Sequence, residues 1–253
     1  MLNKRIIPCL LMKGEGLYKT TQFKHAVYLG DAVNVARIFN DKFVDELVIL
    51  DIEASKTNKE PDFGLIQEIT SSCFMPVAYG GGVKSMEHAR KLFALGVEKI
   101  ILNTAIFKVA GLIPDLVKEF GSQSIVASLN VQKNWLGKYV VVDNDLKSSI
   151  KPNLEEAVKE VSRLGIGELM ITDVDHEGTM KGFDLDLFQK AASYTKVPVI
   201  ASGGAGKQTH LKELFSKTDV SAVGVGSLFV FNGPRKAVLI SYPSPAELKS
   251  LIR

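Results

Sequence analysis

Short apolar runs recur along the whole chain, at Arg5–Leu11, Glu46–Asp51, Pro76–Tyr79, Lys99–Asn103, Ile125–Asn130, Glu168–Thr172, Pro198–Ala201 and Ala222–Gly226. None alternates strictly between apolar and polar positions, which marks strands buried on both faces of a parallel sheet. Helix-like segments lie between them. The stretch from Asn153 to Gly165 is the clearest: Asn153 as N-cap, Glu155 and Glu156 in the first turn, an i/i+4 apolar stripe and a closing glycine. Ser85–Leu95, ahead of Gly96, has the same design. Eight strands alternating with about eight helices in roughly 250 residues predict a (β/α)8 TIM barrel. A doubly wound open sheet is the alternative. It usually announces itself with Gly-x-Gly-x-x-Gly after the first strand, and that motif is absent.

An internal repeat favours the barrel. Asp45–Asp51 (DELVILD) aligns with Gly167–Asp173 (GELMITD) at an offset of 122 residues. The same offset pairs Pro76–Gly82 with Pro198–Gly204, Leu92-Phe93 with Leu214-Phe215, and Ala105–Phe107 with Ser227–Phe229. One constant offset predicts two half-barrels of four βα units, with two equivalent sites facing each other across one mouth. No linker or low-complexity stretch interrupts the pattern, so residues 1–253 read as one domain.

Composition narrows the function classes. The chain is 46% hydrophobic and 23% charged, with a net charge of +3. So small and evenly spread a charge argues against nucleic-acid or membrane-surface binding. Cys9 and Cys73 have no metal-ligand spacing and no Cys-x-x-Cys partner, as expected of apolar filler in a reducing cytoplasm. No apolar stretch reaches transmembrane length, and no cleavage site follows the N-terminal run Met1–Gly14. A soluble cytoplasmic protein is the expectation.

Two glycine clusters follow predicted strands, Gly80-Gly81-Gly82 and Gly203-Gly204-Ala205-Gly206. Tandem glycines let the backbone turn sharply and present N–H groups to an anion, although a tight turn without a ligand uses the same residues. Asn103-Thr104 accompanies the first cluster and Gly226-Ser227 the second, which suggests two phosphate cradles for one elongated ligand. Lys19, behind Gly14 and Gly16, is a candidate mobile cation. Asp51, Asp173 and Asp175 stand at strand ends, where barrel chemistry gathers, with turn capping as the alternative use. The acidic loop Asp173–Thr179 lacks calcium-loop spacing, and neither a metal nor a cofactor is expected. His176 is a candidate acid or base, with a lone solvated loop histidine as the favoured reading, and His25, His88 and His210 read as surface residues. Arg5, Glu46, Lys99 and Glu168 begin strands and would face the barrel bottom as four charges of alternating sign, a salt-bridged ring that on these residues alone reads as a stabilising plug.

Several of these motifs together resemble the cyclase (HisF) subunit of imidazole glycerol phosphate synthase: Lys4–Leu10 (KRIIPCL), Asp45-Glu46-Leu47, Gly80-Gly81-Gly82, Asn103-Thr104, Phe120-Gly121-Ser122-Gln123, Asp175–Thr179 with Gly182-Phe183-Asp184, and Ile200–Gly206. The resemblance runs from the first residue to about Phe231. It implies a barrel that docks a glutaminase on its bottom face and passes ammonia to a mouth where a bisphosphate is cleaved and cyclised. It also implies phosphate sites at Gly82, Asn103, Thr104, Gly203, Gly204, Gly226 and Ser227, a mobile-loop Lys19, and a gate of Arg5, Glu46, Lys99 and Glu168. Gln123 would face the glutaminase.

Three positions depart from the family. Its two acid–base aspartates fall on Leu11 and Asn130, neither of which can exchange a proton in that role. Its Asp-Gly-Thr is Glu177-Gly178-Thr179, one carbon longer. Asp51 and Asp175 are the remaining candidate acids of the mouth. A kept gate with lost acids resembles a paralogous group within the family. Those barrels pair with a glutaminase and hand ammonia to a separate amidotransferase, which makes an acetamidino group on an N-acetyl sugar for surface polysaccharide. The alternatives are an active cyclase of histidine biosynthesis and a non-catalytic phosphate-binding scaffold.

Overall fold

The computed structural model describes residues 4–143 and 149–252; the first three residues of the N-terminal run fall outside it. Eight strands form the barrel: β1 (Arg5–Lys13), β2 (Leu47–Asp51), β3 (Val77–Gly80), β4 (Lys99–Leu102), β5 (Ile125–Lys133), β6 (Glu168–Asp173), β7 (Val199–Ser202) and β8 (Ala222–Val225). Each pairs in parallel with the next, and β8 returns to β1 through Arg5↔Ala222 to Pro8↔Val225. The sheet is therefore closed, as the buried runs predict. Helices α1 (Ala32–Asp41), α2 (Phe63–Ser71), α3 (Met86–Ala94), α4 (Leu112–Phe120), α5 (Leu154–Ser162), α6 (Leu185–Ser193) and α7 (Gln208–Lys217) connect the strands, and α8 (Pro245–Ile252) packs on α7. Short helices at Thr104–Lys108 and Ser227–Val230 follow β4 and β8. Their shared place, four strands apart, is what the repeat predicts.

Helix starts follow the sequence signals. Asn153 accepts from Glu155 N and Glu156 N, and Ser85 accepts from His88 N, so each satisfies donors that a first turn leaves free. Apolar residues form two layers. One lies between sheet and helices, with Phe39, Tyr79 and Phe188 its largest members. The other fills the barrel with Ile7, Cys9, Val48, Ala78, Ile101, Val126, Met170, Ile200 and Ala222. Successive residues of a strand face opposite sides, so β1 sends Arg5, Ile7, Cys9 and Leu11 inward from bottom to mouth.

The apolar pattern does not predict the insertions. After β1, strands Gly16–Thr21 and Lys24–Asp31 form a hairpin over the mouth; after β5, Tyr139–Val142 and Ser149–Lys151 form another. In the first, Lys24–Asp31 is largely exposed; in the second, Tyr139–Val142 is a short buried run. Their matching places, after the first strand of each half, extend the repeat beyond the aligned sequence.

Candidate functional site

At the bottom, the four strand-start charges form one closed ring. Arg5 pairs with Glu46 at 2.6 Å and with Glu168; Lys99 pairs with Glu46 and with Glu168 at 2.9 Å each. Their side chains are 26, 7, 19 and 11% exposed for Arg5, Glu46, Lys99 and Glu168, so the carboxylates are the buried members. Signs alternate around the ring, and each carboxylate holds both cations. Above it the barrel is apolar up to Cys9 and Leu50. Gln123, exposed beside the bottom, donates its amide to the Phe120 carbonyl at 3.2 Å. Two fully exposed aromatics stand on neighbouring bottom turns: Phe43 (87%) and Phe74 (96%), joined where Phe74 N donates to Asn40 Oδ1 at 2.8 Å.

At the mouth, a cavity of about 170 Å³ brings together nearly all the other candidates. Leu11, Lys19, Asp51, Gly82, Asn103, Thr104, Asn130, Glu177, Gly203, Gly204, Gly226 and Ser227 line it. Leu11 is half-buried and Asn130 is buried. Asp175, in the loop after β6 (the sixth loop), lies outside the lining; its carboxylate accepts from Lys133 N at 2.9 Å and ties that loop to the end of β5. Asp51 lines the cavity and also caps a turn, accepting from Glu53 N and Ala54 N at 2.8 and 2.9 Å. Its repeat mate Asp173 does the same for Asp175 N and His176 N. The duplicated aspartates thus share a turn-capping duty.

The glycine turns need their glycines. Gly82 has φ +68° and Gly204 has φ +114°, and a Cβ on either would strike backbone atoms of the facing loop. Two histidines hold these turns, contrary to the expectation of surface positions. His88 is buried with Nδ1 3.2 Å from the Gly82 carbonyl oxygen, and half-buried His210 accepts from Gly206 N at 3.3 Å. These too are repeat mates, 122 residues apart, a match the alignment could have disclosed. His176 is not solitary either: Nδ1 lies 2.7 Å from Asp173 Oδ2, which holds the imidazole above its usual range. Burial pushes the Cys9 thiol up to about 12, leaving it inert, and pushes the Lys19 ammonium down to about 8. Among the described residues, no group of three His, Cys, Asp or Glu side chains could hold a metal ion, and no helix is long and apolar enough to cross a membrane.

The family described as histidine biosynthesis protein matches residues 5–234. The chain belongs to that family. Its relatives are of the HisF type. A Pseudomonas aeruginosa protein named, provisionally, imidazole glycerol phosphate synthase subunit hisF2 is 48% identical over 98% of this chain and 99% of its own length. A Leptospira borgpetersenii protein, provisionally named subunit HisF, is 42% identical over 99% of both. The imidazole glycerol phosphate synthase subunit HisF of Streptococcus mutans is 35% identical over 90% of this chain and 91% of its own length. The HisF-like barrel thus keeps a bottom ring of four charges and a mouth with duplicated glycine turns, while the mouth presents leucine and asparagine at positions 11 and 130.

Proposed function

We propose that this HisF-like barrel docks a glutaminase on its bottom face and conducts ammonia to a separate N-acetyl-sugar amidotransferase, without cyclising a bisphosphate itself. The pairing of an intact ring with Leu11 and Asn130 at the mouth carries this reading. A leucine carries no proton to exchange, and an amide does not titrate. Each positioned acid or base contributes roughly 10²–10⁴ in rate, so their loss removes the chemistry but not the route. Neutral ammonia crosses an apolar core, whereas ammonium there would lose its hydration, so the layer from Ile7 to Met170 suits conduction of ammonia alone. Phe43 and Phe74, bare on the bottom turns, have the character of aromatic anchors for a docked protein.

The glycine turns remain candidate cradles for a phosphate-bearing small molecule. The decisive experiment expresses the chain in a histidine auxotroph lacking the cyclase subunit. No growth is expected. Growth would replace this reading with that of an active cyclase. In the complementary assay, the barrel, a glutaminase and the sugar amidotransferase together should couple glutamine hydrolysis to acetamidino formation. Uncoupled hydrolysis would remove the conducting role.

A further inference from the structure

The Glu177 side chain stands at the centre of the contact between the first hairpin and the sixth loop. The Glu177 carboxylate receives the Lys19 ammonium, accepts from Thr20 Oγ1 at 3.1 Å, and accepts from Phe23 N at 3.2 Å. Its backbone carbonyl accepts from Gln22 N at 2.8 Å, and Gln22 Nε2 reaches the Asp175 carbonyl, also at 2.8 Å. Gly178 has φ +71°, and a Cβ there would collide with the Thr20 carbonyl, so the two segments lie in direct backbone contact. Both charged side chains are only 8% exposed.

Lys19 is also where an anion would be met. Its Cε and Cδ would lie 3.0 and 3.2 Å from a Cβ at Gly226, so the side chain runs across the Gly226–Ser227 turn. Beneath it, Ser227 Oγ is buried and has no hydrogen-bond partner among the described residues. A hydroxyl left unsatisfied in a cavity wall is costly unless something else completes it. The turn, the orphan hydroxyl and the lysine therefore converge on one spot, and the lysine is already engaged.

We propose that Glu177 is an internal anion that competes with a ligand phosphate for Lys19, so that the mouth accepts a phosphate group only when the first hairpin lets go of the sixth loop. The inference rests on reading the Gly226–Ser227 turn as an anion cradle. With Glu177 in place, the buried charge at this spot sums to zero, and an arriving dianion enters uncompensated. Without that carboxylate the spot is cationic. Removing one partner of a buried pair leaves the other in need of a counter-charge, and a phosphate supplies it. The Glu177 carboxylate reaches both the ammonium and the hairpin backbone.

The test measures binding of inorganic phosphate and of glycerol 3-phosphate by calorimetry, with amide hydrogen exchange at Gln22 and Phe23 in parallel. Glu177→Gln keeps an oxygen for Thr20 and Phe23 but removes the charge, and should bind phosphate at least about tenfold more tightly than the parent. In the parent, saturating phosphate should speed exchange at Phe23. Glu177→Asp, which falls short of the ammonium, should move in the same direction and serves if the glutamine variant folds poorly. Tightening for glycerol 3-phosphate alone would assign the site to a phosphate ester; equal tightening for both would assign it to the phosphate group itself. Equal affinities in parent and variants would overturn the competition. Absence of binding in all of them would overturn it too, together with the reading of the turn as a cradle. Neither result bears on the coupled ammonia assay, which fails or succeeds separately.

Discussion

At the bottom of the barrel, two cations and two carboxylates, at the starts of β1, β4 and β6 and just ahead of β2, pair around a ring, each carboxylate shared between both cations. At the mouth, one lysine and one glutamate pair across two loops, and the inward positions 11 and 130 carry no titrating group. The bottom ring belongs to strand ends held by the closed sheet. The mouth pair joins a strand of the first hairpin to a loop, at the rim of the sheet rather than within the closed barrel. The bottom charges are thus held by the barrel itself, and the mouth pair by the meeting of two segments outside it.

The largest effect separates the two ends by chemistry. With ammonium salts as nitrogen donor, cyclisation of the bisphosphate should fall at least ~10⁴-fold below that of an ordinary synthase subunit, since both acid–base positions are lost. Turnover within about tenfold of such a subunit would show that the mouth kept its chemistry by another route. Leu11→Asp with Asn130→Asp should restore part of the rate. A double variant as inactive as the parent would place the divergence beyond these two side chains.

A second effect isolates the bottom. Phe74→Ala and Phe43→Ala should each weaken glutaminase binding by about 30-fold, as truncating a central aromatic anchor does, with no change at the mouth. Titration calorimetry reads this directly. Unchanged affinity in both would move the docking face away from these turns.

Much of this architecture is legible in the amino-acid order. Buried strands declare themselves because a parallel sheet leaves no polar face, and the offset of 122 residues places both glycine turns correctly opposite one another. The ring is legible because charges at four strand starts have only the barrel axis to face. The hairpins are not. Lys24–Asp31 is exposed along most of its length and needs no apolar code, while Gly16–Thr21 buries Leu17, Lys19 and Thr20, two of them polar. His88 and His210 read as surface residues since a histidine at a helix start is ordinary; only their equal spacing links them to the turns they hold. The partnership of Lys19 with Glu177, 158 residues away, depends on how two loops fold back, which no local pattern encodes.

A smaller effect probes the ring. Lys99→Ala removes one of two cations from each carboxylate while Arg5 still holds both. The ring is more enclosed than a surface network, so the fold should lose on the order of 1–3 kcal/mol, between the exposed and fully buried limits. Glutamine-driven transfer should drop about fivefold more than ammonium-driven transfer, if removing one link disturbs the entrance without closing the route. Thermal unfolding and the paired assays check the two halves of this statement. Equal loss with both nitrogen donors would make the ring a structural plug.

The smallest effect is a pH dependence confined to the mouth. The ring contains no histidine, whereas the sixth loop holds His176 against the buried Asp173, with Asp184 and Asp175 adding attraction. The hydrogen bond to Asp173 holds the His176 imidazolium above its ordinary value of about 6.5. A raised value means that the folded protein binds this proton more tightly than the unfolded chain. The stabilisation is therefore complete below about pH 6.5 and is lost as pH rises through the folded value. His176 is about a third exposed, so solvent screening keeps the contribution under ~1 kcal/mol. His176→Ala should thus be less stable than the parent at about pH 6, and the gap should shrink toward pH 9. Denaturant unfolding at both pH values measures it. A gap that is constant with pH would mean that the imidazole serves as packing, and that the loop carrying Glu177 is held by its backbone and Lys19 rather than by a titrating pair.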